Sequence, residues 1–399
     1  MNPRLAQSNP LGGEGRLCSA RMAFDFSRAA LDREFPVRRQ LVYFNHAAVA
    51  PLPRRVSDAI VAHTENTRDR GAADWRRWYG GIEAAREKAA RLIGAEKSAV
   101  AFLPSTSWGL NLVAQAFPWR AGDNVVGDDM EFPSNVYPWM LLGARGVEHR
   151  RVKSRGGRIT VDDIASAVDA STRMVAISWV AFHNGWVYPL KEIGALCRER
   201  GILLVVDAIQ GLGALPLDVR DVPVDVVVAD AHKWLLGPEA CALAFFSENA
   251  RERLPPPFAG WWNVRSDDSF LEYELNFFSG GRRYEAGSLP TAQVMGFSAA
   301  LDLIAEMGAE TVQERIRELI GTLASGLAAL GWKIASPEPL ASGILAAIPP
   351  GGDARSAEKS LERAGVLVSA REGAVRFSPH ASNDVGEVER VLSALASSH

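Results

Sequence analysis

VVDAIQGLGALPLDVRDVPVDVVVADAHKWLLGP, residues 205–238, is the stretch from which the fold of this chain can be read. The apolar run Ile202–Val206 ends at Asp207, and a second run, Val224–Ala229, ends at Asp230-Ala231-His232-Lys233. Short continuous runs of this kind predict strands buried on both faces, as in a parallel sheet. Ligands of open α/β sheets sit beyond the carboxyl ends of such strands. Asp207 and Lys233 are therefore expected at one crevice.

That pairing has a chemical meaning. A buried lysine can lose its proton and form a Schiff base with an aldehyde. A carboxylate can keep a pyridine nitrogen protonated, which makes the ring an electron sink. The two residues are compatible with a pyridoxal 5'-phosphate (PLP) site; a strand-end aspartate and an unrelated surface lysine would read the same way. The GLG at 211–213 is no dinucleotide fingerprint, because it lacks the third glycine and the helix that should follow.

Composition sets outer bounds. The chain has 399 residues, 47% hydrophobic and 23% charged, enough for a large core and for more than one domain. A net charge of −3 gives no sign of nucleic acid or a membrane surface as partner. Arg76-Arg77 and Arg282-Arg283 are Arg-rich spots for which solvated surface is the plain reading, and the second also leads into a longer motif, residues 283–288. Three cysteines, Cys18, Cys197 and Cys241, without CxxC spacing, argue against a disulfide framework or a structural zinc site, and no metal site is expected. No apolar run is long enough to span a bilayer, and no signal-peptide core opens the chain, so a cytoplasmic location is expected. Met22, followed by AFDFSRAALDREFPV, is an alternative start. Residues 1–21 are expected to be a disordered extension or an overlong gene reading.

Outward from the central stretch, helices are predicted at 24–37, 54–70 and 82–93, with the aromatic and basic cluster Trp75–Tyr79 between the last two as packing. Strands are predicted at 41–44, 99–103, 124–127, 173–178 and 241–246. The loop Asn45–Pro53 is too rich in proline to be helical throughout. Pro104-Ser105-Thr106-Ser107 opens an amphipathic helix whose stripe is Leu110, Val113, Ala114 and Phe117. A hydroxyl-rich turn at a helix start is either an ordinary N-cap or an anion site. Residues 254–281 form a long segment without clear periodicity, expected to be functional or interfacial.

VVDAIQG followed by ADAHKWLLGP resembles the class V aminotransferase family, the PLP fold-type I enzymes that include cysteine desulfurases, selenocysteine lyase, isopenicillin N epimerase-like proteins and kynureninase. The resemblance runs from about Tyr43 to the C-terminus. It implies an α/β fold: a large PLP-binding domain (41–290) with a mainly parallel seven-stranded sheet flanked by helices, and a smaller C-terminal α/β domain (291–399). Residues 22–40 would pack with the smaller domain.

The same resemblance assigns roles. Lys233 would carry PLP as the catalytic lysine and Asp207 would pair with the pyridine nitrogen. Thr106 and Ser107 would hold the phosphate. Phe132 would lie on the ring face where desulfurases have histidine. Gln210 would reach the ring hydroxyl, and His232, next to Lys233, belongs to the same cofactor set. Ser288, in Arg283-Tyr284-Glu285-Ala286-Gly287-Ser288, would reach the neighbouring subunit's phosphate, which implies a homodimer with shared active sites. Arg376 would pair the substrate α-carboxylate, with Arg371 as a second candidate, and Asn45 and His46 would border the substrate. Phe182 stands where desulfurases have a ring-binding asparagine, which leaves His183 or Asn184 as replacements, and Asp230 stands where they have serine. Residues 366–376 hold neither a cysteine nor room for the desulfurase cysteine loop.

The expected function is transformation of a small amino acid through an aldimine and a Cα carbanion, of the class V aminotransferase type. The alternatives are a β-eliminating C–S lyase or an amino-acid epimerase. A non-catalytic scaffold of the same fold is the distant alternative.

Overall fold

The computed structural model describes residues 23–265 and 271–396; the expectation for residues 1–21 and Cys18 lie outside them. In chain order the elements are α1 (Arg28–Glu34), β1 (Val42–Tyr43), α2 (Arg54–Arg70), α3 (Trp75–Leu92), β2 (Val100–Leu103), α4 (Thr106–Ala116), β3 (Asn124–Asp128), α5 (Tyr137–Leu141), β4 (Glu148–Val152), α6 (Val161–Ala167), β5 (Thr172–Ser178), α7 (Leu190–Glu199), β6 (Leu203–Asp207), β7 (Val226–Asp230), β8 (Ala242–Phe246) and α8 (Glu248–Arg253). They continue as α9 (Thr291–Met307), α10 (Ala309–Ala329), β9 (Lys333–Ile334), β10 (Leu345–Ile348), α11 (Ala354–Arg363), β11 (Val366–Leu367), β12 (Ser369–Arg371), β13 (Ala374–Phe377) and α12 (Val385–Ala396).

A seven-stranded sheet runs β2-β8-β7-β6-β5-β3-β4. β3, β4, β5, β6 and β7 pair in parallel, whereas β8 is antiparallel to both β7 and β2. β2, β6 and β7 are buried along their whole length, as their unbroken apolar runs require. The register sets Ser178 beside Asp207 at the carboxyl edge, where Asp128 and Asp230 also end their strands. A second sheet, β12-β13-β10-β9, is antiparallel. A third pairing joins β1 to β11 in parallel, tying the start of the described chain to its end. Among the described residues no helix is long and apolar enough to cross a membrane.

Two local readings change. Helix α3 begins at Trp75 rather than at Ile82. The pair Gly80-Gly81 weakens helix propensity, but the helix lies so close to α9 that a Cβ on Gly81 would come within 2.7 Å of Met295 Sδ. Tight packing overrides propensity here. Arg282 is not solvated surface: its guanidinium lies over the rings of Phe278 (4.0 Å), Trp262 (4.7 Å) and Tyr79 (5.6 Å). The Trp75–Tyr79 cluster is packing, as expected, with Trp78 Nε1 donating to Asn66 Oδ1 at 2.8 Å.

Candidate active site

Lys233 lies in the loop that follows β7, and its side chain is buried. The turn is held by backbone hydrogen bonds from Leu236 to Lys233 and from Gly237 to Ala231, and Leu236 takes a left-handed φ of 56°. Such a conformation is uncommon for a branched side chain and is kept here by packing. Glycines make room for the adjacent Trp234: a Cβ on Gly213 would meet the Trp234 carbonyl at 2.4 Å, and one on Gly343 would meet its ring at 2.2 Å.

The charges around this amine set its chemistry. Burial pulls the Lys233 ammonium down from 10.5 to about 8; Asp207 and Asp230 oppose the shift, and Arg376 and Arg371 reinforce it. Asp207 is 2% exposed and accepts the Ile209 N–H at 3.0 Å. Burial pushes its carboxyl up to about 6, against the pull of that hydrogen bond and of Lys233.

Thr106, Ser107, Asp230 and His232 converge at the start of α4. Ser105 caps the helix by accepting the Trp108 N–H. Thr106 N–H donates to Asp230 Oδ2 and Asp230 N–H donates to Thr106 Oγ1, both at 2.9 Å. Ser107 and Ser134 share a hydroxyl–hydroxyl bond of 2.7 Å. His232 Nδ1 lies 3.7 Å from Asp230 Oδ1, too far for a hydrogen bond, and is buried without one.

Phe132 is 42% exposed, 5.7 Å from Lys233 Nζ at its ring centre, and edge-on to Phe182 at 5.2 Å. The residue before it, Glu131, accepts hydrogen bonds from the backbone and hydroxyl of Ser178 and from Asn135 Nδ2. Burial and neighbouring Asp128 push the Glu131 carboxyl well up. Asp128, pushed up to about 6 by burial, accepts the Tyr188 hydroxyl at 2.9 Å. This acid cluster anchors the loop that presents Phe132. Sequence reading missed it because its members come from the ends of two strands, β3 and β5, and the loops that follow them.

Asn45, His46, Gln210 and Arg376 form the opposite wall. His46 bonds Ser378 O through Nδ1 at 3.1 Å, and its ring lies 5.2 Å from His380; burial, reinforced by His380, pulls it well below the usual histidine range. His380, for which sequence reading assigned no part, bonds Trp234 O at 3.3 Å. Asn45 Oδ1 accepts from Ser369 Oγ at 2.8 Å. Gln210 spans Ala47 O and Trp234 Nε1, each at 2.9 Å, so its amide braces the wall. Arg376 is 3% exposed, donates to Phe182 O at 2.7 Å, and leaves Nε buried and unbonded. Burial, with Arg371, lowers its pKa to about 10.

Asn184 is turned away to Gly157 O (2.9 Å) and the Trp186 N–H (3.0 Å), whereas His183 keeps a buried, unbonded Nδ1. Ser288 is exposed and makes no hydrogen bond among the described residues.

Residues 42–390 match the family described as Aminotransferase class-V. The chain belongs to that family. A relative from Methanothermobacter thermautotrophicus, described as a probable cysteine desulfurase, is 33% identical over 290 residues, 71% of each chain. A Bacillus subtilis relative described as the uncharacterized aminotransferase YcbU is 26% identical over 368 residues, 91% of this chain and 95% of that one. Among solved structures, a cysteine desulfurase from Thermococcus onnurineus NA1 superposes with a TM-score of 0.86 at 23% identity, covering 93% and 98% of the two chains. The cystine C–S lyase C-DES superposes with a TM-score of 0.86 at 24% identity, covering 91% and 99%. At these identities the two superpositions establish the fold and nothing finer.

Proposed function

We propose that this class V chain is a PLP-dependent enzyme that removes the Cα proton of a small amino acid, with transfer of the amino group as the outcome. The observation that carries the reading is a buried amine, Lys233, with a pKa pulled down to about 8, between the buried carboxyl of Asp207 and the buried, part-unbonded guanidinium of Arg376.

The residues present fit the cofactor. Asp207 is buried with a single backbone donor, Ile209 N–H, which leaves its second oxygen for a pyridine N–H. The hydroxyls of Thr106, Ser107 and Ser134 at the start of α4 suit a phosphate. His232 Nδ1 is a buried polar atom without a partner beside them. Phe132 supplies an aromatic face at the same crevice. Lys233 would hold the group through its ε-amine. When bound, PLP supplies the electron sink for the charge left on Cα after proton loss.

The chain's own residues do the rest. Arg376 would fix the substrate carboxylate, for which a guanidinium fork is suited. Lys233, with an amine part-neutral near neutral pH, is placed to take the Cα proton and return it. Asp207, ionised above about pH 6, would keep the pyridine nitrogen of bound PLP charged.

The desulfurase name of some relatives is not carried over. Burial raises the thiol of Cys197 to about 12 and that of Cys241 higher still, and both lie in the core. The 366–376 stretch, where the resemblance calls for a catalytic cysteine, holds none: it is β11, paired with β1, followed by the tight β12–β13 hairpin.

We also propose a homodimer with shared active sites. Tyr137, Met140 and Leu141 on α5 are 66, 55 and 62% exposed, an apolar patch close to Ser134, and Ser288 is exposed at the surface. Light scattering at micromolar concentration tests this, and a monomer would refute it.

The functional test is a spectral and product screen of the purified protein with single amino acids. A spectral change that stops after one turnover and is restored by a 2-oxo acid is the expected result. Catalytic release of pyruvate and ammonia from a cysteine derivative would replace transamination by β-elimination. A protein that gains no visible absorbance with PLP would overturn the reading.

A further inference from the structure

Two arginines share one face of a hairpin at the crevice. β12 and β13 are joined by Glu372-Gly373, with φ of 45° and 79°. Two successive positive φ values are the mark of a type I′ turn, which fixes the register of the strands it joins. In that register Ser369 lies opposite Arg376, and Arg371 lies opposite Ala374. Opposed residues project to the same side of a sheet, and alternate residues along a strand do too. Ser369, Arg371, Ala374 and Arg376 therefore line one face, with Arg371 and Arg376 as diagonal neighbours, roughly 7–8 Å apart.

That face looks into the crevice. Ser369 Oγ donates to Asn45 Oδ1, and Arg376 donates to Phe182 O. Neither guanidinium pairs with a carboxylate among the described residues. Among the described residues, exposed Arg371 bonds the carbonyl of its neighbour Ala370, at 2.8 Å, and buried Arg376 Nε has no partner. The two cations repel each other, and both act on Lys233. One monocarboxylate would satisfy Arg376 and leave Arg371 without an anion. Two acidic groups on one short molecule would satisfy both.

We infer that the substrate is a dianionic amino acid: its α-carboxylate meets Arg376, and a second acid on a short side chain, carboxylate or sulfur oxyacid, meets Arg371. This rests on the crevice being an amino-acid site, as proposed above. A charge-assisted hydrogen bond gained or lost at such a site corresponds to about a tenfold to hundredfold change in affinity.

The test is calorimetric binding of succinate and of butyrate to the protein as purified, in the wild-type chain and in Arg371→Gln and Arg371→Lys. Succinate is expected to bind at least about tenfold more tightly than butyrate. Arg371→Gln should bring that ratio close to one, and Arg371→Lys should keep part of it. In turnover, the kcat/KM ratio of L-aspartate or L-cysteine sulfinate to L-alanine should fall about tenfold in Arg371→Gln; which acid gives the larger ratio distinguishes carboxylate from sulfur oxyacid. Equal binding of succinate and butyrate by the wild type, or an unchanged ratio in Arg371→Gln, overturns the inference. If the protein retains PLP and turns over L-alanine without this preference, the substrate class fails and the PLP reading stands. If it retains no PLP yet discriminates succinate through Arg371, the PLP reading fails and the dianion site stands.

Discussion

The depressed Lys233 pKa can be measured directly. An ordinary lysine at 10.5 is neutral in only about 0.03% of molecules at pH 7, whereas one at about 8 is neutral in about 10%, a gain of about 300-fold in free amine. Burial is the main cause, and the flanking charges act in opposite senses. The assay is the initial rate at which cofactor-free protein acquires the visible absorbance of bound PLP, measured against pH and corrected for the reagent's own titration. The rate should rise with a midpoint near 8. Asp207→Asn removes an attraction that favours the ammonium, so its midpoint should fall. Arg376→Gln removes a repulsion, so its midpoint should rise. The reasoning is refuted by a wild-type midpoint near 10, or by the two variants moving in the same direction.

Arg376→Gln should lower kcat/KM for an amino acid about 10- to 100-fold, mainly through KM, as steady-state kinetics would show. Arg86 and Glu285 form a buried ion pair at 2.6 Å, and Glu285 also accepts the Phe102 N–H at 2.7 Å; Arg86→Met should cost about 3–5 kcal/mol in chemical denaturation, because it strands the carboxylate. Gly343→Ala, with its new Cβ 2.2 Å from the Trp234 ring, should destabilise by about 1–3 kcal/mol and weaken PLP retention, since Trp234 follows Lys233; an unchanged melting temperature would contradict the packing.

The parts of this site legible in the sequence are those set by a local rule. The runs ending at Asp207 and Asp230 were strands because nothing polar interrupts them. Thr106 and Ser107 began a helix because Ser105 caps it and an apolar stripe follows. The site roles came instead from the resemblance in DAIQG and DAHKW. What neither supplied depends on contacts between distant segments. Nothing near His46 announces that His380 will lie against it, and nothing in Val42–Tyr43 announces that Val366–Leu367 will be its partner. The start of α3 was misplaced for the same reason: Trp75–Tyr79 reads as a separate packing cluster, whereas it is the first turn of a helix that packs against α9 at Gly81.

Asp230 shows how the crevice resolves a conflict that the sequence posed. A carboxylate beside a phosphate should repel it. In the structure that carboxylate is engaged: it takes the Thr106 N–H at the start of α4, faces His232, and is fixed through the return bond from its own N–H to Thr106 Oγ1. The donors left for an anion are the hydroxyls around it. Across the crevice the balance at Lys233 is mixed, with Asp207 and Asp230 favouring its ammonium and Arg371 and Arg376 opposing it. An anion bound beside Arg376 would offset the repulsion that helps to depress Lys233, and so raise its pKa. On the proposed reading, binding of a substrate carboxylate would be coupled through Arg376 to the basicity of Lys233, so that the amine would become a stronger base when a carboxylate occupies the crevice.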